Sequence, residues 1–304
     1  MKMLPASLLS LFAIALPTSA DEGLASILGE ESKVAQIGTG YKFTEGPVWL
    51  PTKKILVFSD IPNSVHMQWD PDEGDSKLRE VEATNGNLLD LEGNLLSCQH
   101  AGRNVIRWKA DGSHEVLASE YKGKKLNSPN DLAIRSDGSI WFTDPTYGLG
   151  RSKEKQEIDG QNVYRLDPKS GAVTLVYAGF DMPNGIAFSP DEKRVYISDT
   201  GKVGKIRAFD IKDDNTLSEV VFELDVRCDG MCIDVKGNIY TTSTGGLHVF
   251  DKSGKKLGVI KTPEHPANVC FGGVDYNYLY ITARTSLYQI SVKIPGAKPK
   301  AAKW

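Results

Sequence analysis

The sequence has few cysteines and no excess of basic charge. Only four cysteines occur among 304 residues, and the Cys228-x-x-x-Cys232 spacing lacks the second pair or nearby histidines that a zinc site needs. An even number is compatible with disulfides in an oxidising compartment, whereas a buried thiol is the commoner role for a cysteine in an apolar strand, such as Cys270. The 36 basic and 39 acidic side chains give a formal charge of −3, so we expect no nucleic-acid partner.

Long hydrophobic runs are also missing. No later segment has eighteen consecutive apolar residues, so we expect no membrane span. The N-terminus has a short apolar run, Leu8 to Leu16, which follows Lys2 and precedes the small residues Ser19 and Ala20. This layout is typical of a secretory signal peptide over residues 1–20, with an ordinary N-terminal helix as the alternative. We therefore predict an exported protein, periplasmic or secreted, whose mature domain spans residues 21–304.

A pattern of short strands recurs six times along the chain. Each copy begins with a polar residue, enters an apolar stretch, turns, and continues into a second stretch that commonly ends in Ser/Thr-Asp. A β-rich repeat of roughly 40–45 residues fits a four-stranded propeller blade, so we predict an all-β, six-bladed β-propeller. The segment Val34–Ile37 is expected to complete the last blade as a strand and close the ring. The six starting residues, which we call the anchors, are Glu45, Asn85, Asn130, Asn184, Asp229 and Asn268.

The chemistry of the anchors predicts a metal site. The innermost strands of a propeller line its central channel in one direction, so the anchors should converge on one mouth. All six are carboxylates or carboxamides, and a packing position would not need them because buried polar groups require partners. Capping of strand starts is the alternative for any one of them. A ring of oxygen ligands suits one divalent cation, with calcium favoured over magnesium, manganese or zinc.

The second strand of each repeat runs back toward the same mouth, so its last residues should form a rim. His100 lies at this point in the second copy, and a longer segment, residues 147–161, follows Asp144 in the third. We expect His100 either to contact the substrate or to make structural hydrogen bonds. The 147–161 segment is either a lid or a solvated loop.

Four short motifs occur in order at blade spacing. They are Glu45-Gly-Pro-Val-Trp49, Asn127-Ser-Pro-Asn-Asp131, Pro183-Asn-Gly185 and Asp229-Gly-Met231. The ordered set resembles the SMP-30/gluconolactonase/LRE family, and the likeness extends from Val34 to Ile290. The resemblance implies a six-bladed propeller with a metal ion in the channel mouth. The ligands that it implies are Glu45, Asn130, Asn184 and Asp229.

Two further segments resemble bacterial gluconolactonases in particular: Cys98-Gln-His100 and Asp144-Pro-Thr-Tyr-Gly148. Regucalcin-type members carry an arginine two residues before the first metal asparagine, where this chain has Ser128. The likeness therefore points to the bacterial branch. The substrate-binding residues that it implies are Asn85, His100, Asn127, Asp131, Tyr147 and Asn268, with water beyond the metal ligands as the alternative partner of Asn85 and Asn268.

The resemblance implies a metal-dependent hydrolase that opens a small lactone, of the sugar-lactone class. A carboxylate must then take the proton of the attacking water. Asp229 is the predicted base because it is an anchor carboxylate, with Glu45 as the alternative. Two other functions stay open, namely phosphotriester hydrolysis at the same metal, as in the fluorophosphatase branch, and a non-enzymatic metal-binding propeller. No Gly-x-Ser-x-Gly elbow occurs, so a serine hydrolase is not supported.

Overall fold

A computed structural model describes residues 23–298, and the predicted signal peptide lies outside them. The described chain is almost entirely β-structure, apart from α-helical residues 23–25, the 3-10 helix Ile61–Asn63 and the short α-helix α1 (Leu149–Ser152). Within this part of the chain no helix has the length and apolarity that crossing a bilayer requires.

Six four-stranded antiparallel sheets form the blades of a propeller, which confirms the predicted fold class. In the first five blades the four strands follow one another in chain order, and the first strands of neighbouring blades contact one another around the channel. The chain opens with β1 (Ala35–Thr39). Blade one contains β2 (Thr44–Leu50), β3 (Ile55–Asp60), β4 (Val65–Asp70) and β5 (Gly74–Glu80), and blade two contains β6 (Thr84–Leu89), β7 (Leu95–Gln99), β8 (Asn104–Trp108) and β9 (His114–Ala118). A small hairpin of β10 (Glu120–Tyr121) and β11 (Lys124–Lys125) follows. Blade three contains β12 (Leu132–Ile134), β13 (Ile140–Asp144), β14 (Gln161–Leu166) and β15 (Val173–Phe180). Blade four contains β16 (Pro183–Phe188), β17 (Arg194–Asp199), β18 (Lys205–Ile211) and β19 (Leu217–Leu224). Blade five contains β20 (Met231–Ile233), β21 (Ile239–Ser243), β22 (Gly246–Phe250) and β23 (Lys256–Lys261). Blade six contains β24 (Asn268–Gly272), β25 (Tyr278–Ala283) and β26 (Ser286–Ser291).

The N-terminal strand closes the ring. Strand β1 pairs antiparallel with β26, with Ala35 opposite Gln289 and Thr39 opposite Ser286. It thereby supplies the fourth strand of blade six, as predicted, although it runs two residues beyond the expected Val34–Ile37. Because the first and last segments share one sheet, no blade is left incomplete at the junction.

The second strands are buried on both faces, since each blade is covered by a neighbour on either side. Strand β3 is buried at every residue. Its Leu56 and Phe58 pack in a cluster shared with blade six, whereas Ile55 and Val57 pack in a cluster shared with blade two. This alternation follows from the two-residue period of a strand. It explains why the sequences of these strands are apolar runs and do not alternate between apolar and polar residues.

The Ser/Thr-Asp endings hold the blades together. The hydroxyls of Ser59, Thr143 and Ser198 donate to carbonyls in the next blade, those of Asn85 at 2.8 Å, Asn184 at 2.7 Å and Asp229 at 3.1 Å respectively. The aspartates that follow these hydroxyls accept hydrogen bonds from backbone amides just before their own blade's first strand. These aspartates are Asp60, Asp144 and Asp199. Asn184 is thereby held from two directions, by Thr143 of the preceding blade and by Asp199 of its own blade.

All four cysteines lie within the described residues and carry free thiols. Cys98 and Cys228 are buried, and burial raises the pKa of both thiols well above the usual value. A thiol that stays protonated is a poor nucleophile, so these two residues act as small apolar groups in the packing.

Candidate metal centre and substrate cavity

Five of the six anchors line one cavity of about 350 Å³ at a mouth of the channel. Three of them stand at or beside a break in strand register, where a β-bulge lies between Glu45 and Val48, between Thr84 and Asn87, and between Pro183 and Ile186. A bulge turns side chains away from the regular pleat. The anchors therefore converge on the cavity: Glu45, Asn85, Asn130, Asn184 and Asp229.

Glycine follows four of the anchors because the inner strands approach one another closely. The backbone amide of Gly86 donates to the carbonyl of Asn130 at 2.8 Å, and that of Gly185 donates to the carbonyl of Asp229 at 3.0 Å. A Cβ on Gly185 would lie 2.4 Å from the same Asp229 oxygen. The glycine after each of these four anchors thus allows the neighbouring inner strands to approach closely.

Two carboxylates face the cavity without an ion-pair partner among the described residues. Glu45 is 2% exposed, and neither it nor the half-buried Asp229 forms an ion pair with a basic side chain of residues 23–298. Burial, and then the charge of Asp229, raises the pKa of Glu45, while burial and then Asp131 raise the pKa of Asp229. Such a pair needs a compensating positive charge to stay ionised.

The remaining donors fit a hard divalent cation. Asn130 and Asn184 add neutral amide groups to the two carboxylates around the cavity. The backbone amide of Gly46 donates to Glu45 Oε2 at 3.0 Å, which fixes the direction of that carboxylate. No group of three or more His, Cys, Asp and Glu suited to a metal occurs in the described chain. A ligand set built from two carboxylates and two carboxamides matches the oxygen preference of calcium or magnesium and not that of a softer ion.

His100 sits in the cavity as a neutral ring. Its Nε2 lies 3.1 Å from Asn85 Nδ2, and because an amide nitrogen only donates, Nε2 is the acceptor and the ring proton is on Nδ1. Burial, and then the positive charge of Arg151, lowers the pKa of His100 to about 4. Asn85 Oδ1 is buried and has no hydrogen-bond partner among the described residues.

The loop after β13 brings Tyr147 into the cavity wall. Ser128 fastens this loop, because its hydroxyl donates to the carbonyl of Pro145 at 2.6 Å and accepts from the amide of Gly148 at 2.8 Å. The tyrosine hydroxyl is hydrogen-bonded to the hydroxyl of Thr200 in the next blade. Ser128 therefore fixes the conformation of this loop. Regucalcin-type members carry an arginine at the position of Ser128.

The comparisons with known proteins identify the family of the chain. Residues 43–285 match the family described as SMP-30/Gluconolactonase/LRE-like region. The chain belongs to this family. It is 29% identical to a gluconolactonase of Zymomonas mobilis, over 90% of this chain and 85% of that one. It is 27% identical to regucalcin of Xenopus laevis, over 80% and 83%. A solved gluconolactonase structure from Xanthomonas campestris superposes with a TM-score of 0.84 at 35% identity, covering 88% and 92%.

Three residues predicted to bind substrate lie outside the cavity wall of this SMP-30/gluconolactonase/LRE-like propeller. Asn127 Nδ2 donates to the carbonyls of Asp144 and Gly160, both at 3.1 Å, and so holds the loop before β12. Asp131 and Asn268 line a second cavity of about 310 Å³ instead. Each accepts a hydrogen bond from the amide of its following residue. The structure gives all three backbone partners, and their contact with substrate stays a prediction.

Six further residues that were not predicted from the sequence line the cavity of this family member. Three of them directly follow a second strand, the position that His100 also occupies, so the repeat pattern indicates that they lie at the rim. Two more stand two residues before an anchor. The six are Ile61, Thr200, Thr244, Phe43, Arg227 and His265.

Gly148 is expected to be essential for the position of the Tyr147 loop. A Cβ at this residue would lie 2.6 Å from the Cβ of His100 and 2.7 Å from that of Ser128. We predict that Gly148→Ala destabilises the fold by about 1–3 kcal/mol, measured as a lower Tm. The control is Gly150→Ala in α1, where an added Cβ meets no atom within 4 Å. Equal melting temperatures for the two variants would contradict the prediction.

Proposed function

We propose that this protein is a divalent-metal-dependent lactonase that opens the ring of a small sugar lactone in the cavity. The observation that carries the proposal is the convergence of two uncompensated carboxylates and two carboxamides on one cavity. The Zymomonas and Xanthomonas relatives, which are named gluconolactonases, support the lactone as substrate. Export to the periplasm or the medium stays a prediction, since residues 1–20 lie outside the described chain.

We propose calcium as the resident ion. The residues that would hold it are Glu45, Asn130, Asn184 and Asp229. When bound, a divalent cation supplies the positive charge that polarises a lactone carbonyl.

Residues of the chain itself provide the general base, the metal ligands and the contacts with the substrate. Asp229 takes the proton of the attacking water as general base. Glu45 is more deeply buried and is fixed by the Gly46 amide, which suits a permanent ligand. Asn85 Oδ1, which has no partner in the described chain, accepts a hydrogen bond from a substrate hydroxyl. Phe43 and Ile61 give the carbon skeleton an apolar wall.

The test is a hydrolysis assay with D-glucono-1,5-lactone, an acyl-homoserine lactone and an aryl phosphotriester, each with and without chelator. We expect the sugar lactone to be opened, the activity to disappear with chelator, and added calcium to restore it. Chelation should also lower the Tm, because an ion present at 100 times its Kd stabilises the folded state by about 2.7 kcal/mol. Hydrolysis that survives complete removal of metal would overturn the proposal, and so would hydrolysis of the phosphotriester alone.

A further inference from the structure

Arg227 gives the cavity wall a fixed positive charge. Among the described residues that line the cavity it is the one lysine or arginine, and it stands two residues before Asp229. Its side chain is exposed at the rim, whereas Glu45 and Asn130 are buried. A molecule whose reacting carbonyl meets the anchors would therefore reach Arg227 with its far end.

The guanidinium is held in place but keeps hydrogen-bonding capacity. It donates to the carbonyl of Thr200 at 2.6 Å and to that of Gly201 at 2.8 Å. These bonds use two of its five N–H groups. Within residues 23–298 it forms no ion pair with a carboxylate. An oriented arginine without an anionic partner is well suited to bind a carboxylate or a phosphate of a ligand.

Among the side chains that line the cavity, the other charges leave this cation in excess; Asp131 lies outside the wall, although its charge acts on both Glu45 and Asp229. The carboxylates in the wall are Glu45 and Asp229, and a divalent ion between them would neutralise both. The two histidines of the wall add no lasting positive charge, since burial lowers the pKa of His100 to about 4 and, together with Arg284, lowers that of His265. The wall around a loaded metal centre would thus complement a single negative charge.

We infer that Arg227 makes the site selective for lactones that carry an anionic group, a phosphate or a carboxylate, at the end remote from the ring carbonyl. The inference rests on the proposed lactonase function and names its substrate class. The hydroxyls of Tyr147 and Thr200, which are bonded to each other beside Arg227, are placed to complete the binding of that group.

The kinetic test compares D-glucono-1,5-lactone with its 6-phosphate and with D-glucaro-1,4-lactone. We expect at least one anionic lactone to have a kcat/KM about 10- to 100-fold above that of the neutral lactone, the range expected for a hydrogen bond between charged groups. Arg227→Gln should remove this advantage and change the neutral lactone by less than about threefold, and Arg227→Lys should restore part of it. The matched control is Lys202→Gln, which removes an exposed charge outside the cavity wall from the loop that contains Thr200 and Gly201.

Calorimetry measures the binding of the hydrolysis products to the protein, without turnover. We expect 6-phosphogluconate or glucarate to bind the wild-type protein more tightly than gluconate, and Arg227→Gln to abolish the difference. Hydrolysis of neutral and anionic lactones with equal efficiency would overturn this inference alone. So would equal losses on both classes in Arg227→Gln, or a matching loss in Lys202→Gln. Failure to hydrolyse any lactone would overturn the proposed function and this inference with it.

Discussion

In the Asp229→Asn variant, kcat for lactone hydrolysis is expected to fall on the order of 10²–10⁴-fold, the range for lost general-base catalysis. Asparagine keeps an oxygen of similar reach in the cavity but removes the basic carboxylate. Bound metal should therefore fall much less than activity does. The measurements are metal content by elemental analysis and kcat at saturating calcium.

In Glu45→Gln, bound metal should fall more than the activity of the metal-loaded protein does. Glu45 is 2% exposed and its carboxylate is oriented by the Gly46 amide, so its loss should weaken the metal site first. Excess calcium should then recover much of the activity, which it should not do in Asp229→Asn. The matched control is Asp225→Asn, four residues before Asp229, where the carboxylate is exposed and outside the cavity wall.

Full activity of metal-loaded Asp229→Asn would show that Asp229 is not the base. The role would then pass to Glu45 or to His100. His100 is neutral at pH 7, since burial and Arg151 lower its pKa to about 4, and a neutral ring can accept a proton. A double variant that combines Asp229→Asn with His100→Gln would separate these two candidates.

The repeat made the architecture predictable. Six polar anchors at blade spacing predicted both the blade number and the convergence of Glu45, Asn130, Asn184 and Asp229 on one mouth, because equivalent positions of a repeat occupy equivalent places in a ring. The closing strand was predictable as well, since a ring needs a partner for its last blade. These features depend on the order of residues along the chain and not on side-chain conformation.

The depth of a side chain in the channel could not be read from the sequence. Asn130 and Asp131 are neighbours, yet they line different cavities, because consecutive side chains of an extended chain point to opposite sides. Asn268 shares the repeat position of the other anchors but accepts a hydrogen bond from Val269 and lies against Gly230. Only the packing of blade six on blade five determines that arrangement.

The rim was only partly predictable, because it consists of loop residues. Thr200 and Ile61 follow the second strands at the position of His100, so the repeat predicts that they reach the rim. Arg227 carries no such signal. Its position at the rim depends on the hydrogen bonds to the carbonyls of Thr200 and Gly201, which join loops from two blades.

Gly46→Ala is expected to cause the largest loss of stability among substitutions in the anchor ring. Gly46 has a φ of +51°, which is costly for alanine, and an added Cβ would lie 2.1 Å from the carbonyl oxygen of Asn85. Strain at this φ and overpacking between two inner strands together should cost roughly 2–5 kcal/mol. That cost corresponds to a fall in Tm of about 5–15 °C.

The control for this prediction is Gly74→Ala, because Gly74 has a φ of +83° but an added Cβ there would meet no atom within 4 Å. It should show the backbone cost alone, about 1 kcal/mol. Gly46→Ala should in addition weaken calcium binding, since the displaced strand carries Glu45 and moves the backbone amide that orients its carboxylate. Calcium affinity would be measured by calorimetry at a temperature where both variants are folded. The two variants could instead have the same Tm and bind calcium equally. In that case the close contact between blades one and two does not set the position of Glu45, and the metal centre is held by its ligands alone.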